Sequence, residues 1–191
     1  MTTGRVDTKD WIPNPENAHV LKIDGPELAN FEDQVKLFQA GEKDEVEFLR
    51  FRLRQGVYGQ RQPDRQMIRV KLPFGGLTAH QMDVLGDVAE KYTPLKRGHI
   101  TTRENVQYHH VPLAETTDLL RALGDAGMST REACGNVVRN VVAAPTAGVS
   151  KDEVFDVTPY AAAYARYFLR HPTTQNMPRK SKVAFSGSEK D

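Results

Sequence analysis

A chain of 191 residues with one cysteine, Cys134, cannot close a disulfide within itself, and that cysteine alone cannot hold an iron–sulfur cluster or a structural zinc. Such usage fits a reducing compartment and points to the cytoplasm. No window approaches the roughly 20 consecutive apolar residues of a membrane span, and the N-terminus lacks the apolar centre of a signal peptide. Charge imbalance is equally scarce. The formal net charge is +1, so nothing global argues for a nucleic acid or a membrane surface as partner. Any anion site must therefore be a local cluster. No short-period internal repeat is present.

What is present reads as a globular protein with loosely patterned ends. Charged residues make up 27% and hydrophobic residues 39%, and the mean hydropathy of −0.56 leans polar. Residues 1–30 are rich in Pro, Asn and Asp and suggest an irregular arm, with Trp11 as its expected anchor. Over 27–40, Leu28, Phe31, Val35 and Phe38 recur at helical spacing, predicting a short amphipathic helix. Residues 44–54 lead into Gly56-Val-Tyr-Gly59, two glycines flanking an expected turn. Met67–Leu72 alternates as a strand, with Met67, Arg69 and Lys71 on one face and Ile68, Val70 and Leu72 on the other. Thr78 is placed to cap a helix over 79–91. Strands near 98–102 and 105–111 follow, then a helix over 115–126. This β-α-β-β-α order belongs to an α+β class close to a ferredoxin-like sandwich with a strand missing or displaced. Beyond Gly127 come a β-branched run (134–145) holding Arg139 and two asparagines, an acidic connector (151–157), and a Tyr- and Ala-rich helix (159–170). A turn then runs into a strand bearing Lys180 and Lys182 on one face.

The segment Gly98–His110 concentrates polar groups. In extended form Thr101, Arg103, Asn105 and Gln107 share one face, while Ile100, Val106 and Tyr108 turn to the core. His109 and His110 are adjacent and would point to opposite faces, an unsuitable arrangement for chelating one metal. Separate strands thus each offer cations from an otherwise apolar element: Arg69 and Lys71, Arg103, Arg139, and Lys180 with Lys182. Any one alone reads as a solvated strand residue. Brought together they would repel, so convergence would imply an anionic ligand. Arginine supplies a rigid fork for an oxyanion or carboxylate, and lysine a point charge with a mobile proton.

Four ordered stretches, MIRVKLPFGGLT, HITTRENVQYHH, CGNVVRNVVAAPTAG and NMPRKSKVAFSGS, resemble the N-terminal half of the sirohaem-containing nitrite and sulfite reductases. The resemblance covers roughly residues 45–190. It implies an N-terminal arm and short helix (1–44), a ferredoxin-like half-domain (45–127) and the start of a mixed α/β sirohaem-binding half-domain (128–191). Gly56–Arg61 resembles the family's lead-in to the first core strand. By motif, Arg69, Arg139, Lys180 and Lys182 look like the catalytic cations that hold the substrate oxyanion. Thr101, Thr102, Arg103, Gln107 and His109 look like the group that grips sirohaem carboxylates. The implied activity is six-electron reduction of nitrite to ammonia or of sulfite to sulfide, with ferredoxin or a similar donor and a 4Fe-4S cluster. The ligands of that cluster are absent here, and Cys134 is expected to be a small buried hydrophobe. Position 99 is His where the family can carry Arg. The expectation is a fragment or one piece of a split enzyme, completed in cis or in trans by a cluster-bearing half. A second reading stays open: a non-catalytic ferredoxin-like module for a tetrapyrrole or another polyanion. An RNA reader is disfavoured, because Tyr108 lies on the face opposite Arg103.

Overall fold

The computed structural model describes Leu21 and residues 24–189. Trp11 lies outside them. The first element among the described residues is α1 (Gly25–Gln39), which has Pro26 in its first turn and buries Phe31 and Val35. A second helix, α2 (Glu45–Arg54), follows at once. The Asp44 carboxylate accepts from the backbone N–H groups of Val46 (2.9 Å) and Glu47 (3.0 Å), satisfying donors that the helix itself leaves open. Phe48 of α2 stacks on Phe38 with ring centroids 4.2 Å apart, so the two helices share one apolar seam.

The sheet comprises β1 (Val57–Gly59), β2 (Arg65–Arg69), β3 (His99–Ile100) and β4 (Val106–Pro112) in the antiparallel order β1-β2-β4-β3. The expected glycine-flanked turn at 56–59 is thus an edge strand. Between β2 and β3 runs α3 (Ala79–Tyr92), opened by a full capping box in which Thr78 and Gln81 exchange side-chain-to-backbone hydrogen bonds. After β4 comes α4 (Thr116–Asp125). The helices cover one face of the sheet, where Val57, Ile68, Val70 and Tyr108 meet Phe31, Phe48, Leu85, Val88, Leu119 and Leu123. Buried Tyr108 keeps its hydroxyl satisfied by donating to the Leu85 carbonyl at 2.8 Å. An α+β fold of the ferredoxin-like half-domain type is what the strand and helix order predicts.

The opposite face is covered by the chain after Met128, and here the alternation argument fails in instructive ways. Lys71, expected beside Arg69 on an open polar face, is 1% exposed. Its ammonium donates to the Val138 carbonyl at 3.1 Å and lies 3.7 Å from the equally buried Glu132 carboxylate. Ile100, expected in the core, is 78% exposed because β3 is a two-residue edge strand. His110 sits at φ 62°, a left-handed conformation that breaks the simple alternation after His109. Both rings, with His99, consequently line one open cleft and do not diverge to opposite faces.

The last part of the chain forms β5 (Val142–Ala143), α5 (Thr158–Phe168) and β6 (Ala184–Phe185), with β5 and β6 parallel. Ala161, Ala162 and Ala165 are the buried face of α5, and their small size lets Val141 pack closely. Tyr160 turns away from that face and is 58% exposed, whereas Tyr164 packs against it. The arm helix is fastened to this part of the chain. Glu27 receives Arg131 and Arg170, each at 2.7 Å.

Candidate functional site

β2, the turn after β3, β4 and the 133–140 segment converge on a cleft of about 340 Å³. Arg69, Thr101, Thr102, Arg103, Gln107, Arg139, Lys180 and Lys182 all line it. Eight of the nine residues singled out from sequence therefore meet in one place. They come from segments more than 100 residues apart. The ninth, His109, faces the neighbouring histidine cleft.

The residues reach the cleft by different routes. Residues 101–105 form a tight turn and not an extended strand. Thr101 accepts at its carbonyl from Glu104 N (3.0 Å), and its hydroxyl donates to Asn105 Oδ1 at 2.7 Å. Glu104 holds φ 51°, the left-handed geometry that reverses the chain. That turn brings Thr102 to the same cleft as Thr101 and Arg103, which strict alternation would forbid. Gln107 comes from β4 directly. Its amide satisfies its neighbours when the oxygen accepts from Arg69 Nε (3.0 Å) and Nη2 (2.9 Å) and the nitrogen donates to His109 Nε2 (3.2 Å). His109 is tied to the cleft by this link.

Two guanidinium groups share one anchor. Arg69 Nη1 (3.2 Å) and Arg139 Nη1 (3.1 Å) both donate to the Ala133 carbonyl, and Arg139 Nε donates to the Gly135 carbonyl at 2.8 Å. Gly135 takes φ 84°, a turn geometry that suits glycine. Burial, with Arg69 and Arg103 nearby, pushes the Arg139 guanidinium below the usual arginine range, although Cys134 opposes the shift. Cys134 itself is buried, as expected, and burial raises its thiol despite Arg69 and Arg139 alongside. His109 is held below the ordinary imidazole range by burial and by His110, His99 and Arg69.

The lining contains five cations and no carboxylate. Among the described residues none of the five forms an ion pair. Arg103 Nη1 is buried without a hydrogen-bond partner. Unneutralised charges held this close carry a repulsion on the order of a few kcal/mol at an effective dielectric near 20. An anion bearing several oxygens removes it.

Comparison with known proteins follows the same division of the chain. Residues 58–126 match the nitrite/sulfite reductase ferredoxin-like half domain, and residues 134–191 match the nitrite and sulphite reductase 4Fe-4S domain. The chain belongs to the nitrite and sulfite reductase family. A sulfite reductase [ferredoxin] of Mycobacterium tuberculosis is 36% identical over 121 residues, which is 63% of this chain and 22% of that protein. The chloroplastic ferredoxin–nitrite reductase of Oryza sativa subsp. japonica is 34% identical over 142 residues, 72% of this chain and 23% of that protein. The solved structure of the Mycobacterium tuberculosis NirA protein superposes with a TM-score of 0.71 at 26% identity, over 84% of this chain and 35% of that one. The chain thus spans under a quarter of the length of these curated relatives.

Within this family member, the cleft also has linings that the sequence reading passed over. Asn140 is 1% exposed, and its amide nitrogen contacts three carbonyls of the cleft wall. The signal was available, because a lone asparagine flanked by Val137, Val138, Val141 and Val142 must find partners wherever those valines are buried. Lys71, in contrast, drops out of the cation set. No group of three His, Cys, Asp or Glu residues among the described residues is arranged to hold a metal ion.

Proposed function

We propose that this chain supplies the anion-binding part of a ferredoxin-dependent nitrite or sulfite reductase, holding sirohaem carboxylates and the substrate oxyanion in the cationic cleft. The observation that carries the reading is a cleft with five cations, no acid, and a buried guanidinium nitrogen without a partner. Those residues suit a polycarboxylate tetrapyrrole beside a small oxyanion. They do not suit an iron–sulfur cluster, since the chain has one cysteine. In this reading the ferredoxin-like half-domain (45–127) and the start of the sirohaem-binding half-domain (128–191) form opposite walls of the cleft. A cluster-bearing half in cis or in trans completes the enzyme, and the cytoplasm or an equally reducing compartment suits it. No helix among the described residues is long and apolar enough to cross a membrane.

Thr101, Thr102, Arg103 and Gln107 would grip tetrapyrrole carboxylates in this cleft, and His109, facing the neighbouring one, would act through its link to Gln107. Sirohaem, when bound, supplies an iron that takes the nitrogen or sulfur atom of the substrate and passes electrons to it. Arg69 and Arg139, already aligned by the Ala133 carbonyl, hold the substrate oxygens without reorganisation at the moment of reaction. Each oxygen lost must leave as water, so protons must arrive where N–O or S–O bonds break. Lys180 and Lys182 line the cleft and remain exposed, so each Nζ can deliver a proton and recover it from solvent.

The test is Arg139→Ala and Lys182→Ala in the full-length reductase that carries this segment. Turnover with nitrite or sulfite should fall by roughly 10²-fold or more, the scale of a lost general acid or oxyanion donor, with a far smaller loss of fold stability. Undiminished turnover in both variants overturns the reading.

A further inference from the structure

The asparagine after Arg139 holds the arginine-bearing turn from across the cleft. Asn140 Nδ2 lies 2.7 Å from the Leu72 carbonyl, 2.9 Å from the Arg103 carbonyl and 3.3 Å from the Glu104 carbonyl. One amide with two hydrogens is therefore shared among three acceptors, joining the end of the β2 segment to the turn that presents Arg103. A second bond from the same segment reinforces it. The backbone N–H of Ala143 donates to Glu104 Oε2 at 3.2 Å. The turn's own bonds, Arg103 N to Thr101 Oγ1 (3.2 Å) and Glu104 N to the Thr101 carbonyl (3.0 Å), are local and leave its attitude to the sheet open. Among the described residues, the hydrogen bonds that reach it from the other wall come from Asn140 and Ala143. Asn140 Oδ1 is buried with no hydrogen-bond partner, so the residue is kept there at a desolvation cost that its donated bonds must offset.

We propose that Asn140 is a positioning residue, fixing Arg103 for recognition of a tetrapyrrole carboxylate. The inference rests on the cleft reading above and adds a residue to it. It does not make Asn140 a contact of the ligand. It makes consecutive residues of one segment serve the cleft differently, Arg139 by charge and Asn140 by aligning a cation on another element.

A double-mutant cycle in the full-length reductase that carries this segment, prepared without its tetrapyrrole, tests this, with the iron-free octacarboxylate uroporphyrin as probe and its fluorescence change as readout. Asn140→Ala should weaken binding about tenfold, the scale of one misaligned charge-assisted hydrogen bond. Arg103→Ala should weaken it at least as much. The double variant should be no weaker than Arg103→Ala alone, because Asn140 acts through Arg103. Additive losses, or unchanged affinity in Asn140→Ala, overturn the proposal. Should Asn140→Ala fail to fold by circular dichroism, Asn140→Ser in the same cycle gives the same test, with non-additivity expected and additivity decisive against it. If the wild-type reductase does not bind uroporphyrin at all, the cleft reading fails and takes this one with it. Wild-type binding with an additive cycle defeats the Asn140 role alone.

Discussion

Replacing Glu132 by glutamine should unfold this protein more readily than any surface charge change. Lys71 and Glu132 both have fully buried side chains, with Nζ and Oε2 3.7 Å apart. Glu132 Oε1 is well served by Arg170 N and Gln175 Nε2, both at 2.7 Å. A glutamine keeps that shape but removes the charge, leaving Lys71 with one hydrogen bond, to the Val138 carbonyl. Breaking a buried pair from one side costs about 3–5 kcal/mol. For a chain of this size the fall in unfolding temperature is on the order of 10 °C. Thermal and urea unfolding at pH 7 measure it. The pair of substitutions Lys71→Met and Glu132→Gln together should recover most of the loss. A second signature is in pH. Burial lowers the Lys71 ammonium from 10.5 to about 8, against the pull of Glu132. Below about pH 8 both folded and unfolded chains hold the proton and its contribution is flat. From there towards pH 10.5 only the unfolded chain holds it, so stability rises with pH, by ~3 kcal/mol over the whole window. Tyr108, whose hydroxyl burial raises, acts in the opposite sense above pH 10, so the comparison is with Lys71→Met, which should lack the rise. A Glu132→Gln loss below about 1 kcal/mol, or an identical pH response in Lys71→Met, would refute the reasoning.

Other outcomes follow from single positions. Gly56 has φ 79° and a Cβ there would collide with the Thr130 carbonyl, so Gly56→Ala should cost at least ~2 kcal/mol in urea unfolding. Thr78→Ala removes one arm of the α3 capping box and should cost ~1 kcal/mol, with Thr78→Ser recovering most of it. Nuclear magnetic resonance titration of His109 should give a midpoint below 6.5, since burial and the neighbouring His110, His99 and Arg69 disfavour its cation. Gln107→Ala should shift that midpoint, because the amide in its satisfied orientation donates to the neutral ring.

Much of the site was readable because its residues are polar groups punctuating apolar strands. Arg69, Arg103, Arg139, Lys180 and Lys182 stand out individually, and cations recurring on separate, otherwise apolar strands pointed to a shared anion site. Periodicity told which residues share a face of β2. It could not tell that the chain after Met128 returns to cover that face, so Lys71 looked like Arg69's companion and not Glu132's. The same limit misplaced Ile100, since a two-residue edge strand has no neighbour to bury it. His110 and the 101–105 turn depart from alternation through left-handed backbone at non-glycine residues, which composition does not announce. Asn140 was visible as a polar interruption, but its partners lie about 36 to 68 residues away in sequence. No local pattern encodes contacts of that separation.

The shared anchor of Arg69 and Arg139 has a bearing on how such a site changes over generations. Both guanidinium groups take their alignment from the carbonyl of Ala133, a group that every amino acid carries. Substitution at position 133 can alter packing, yet it cannot delete the acceptor. The spacing of the two cations is therefore inherited with the path of the chain and stays insulated from drift in the side chain beside it. Lineages of this fold can vary what the pair works on while the distance between the two arginines stays the same.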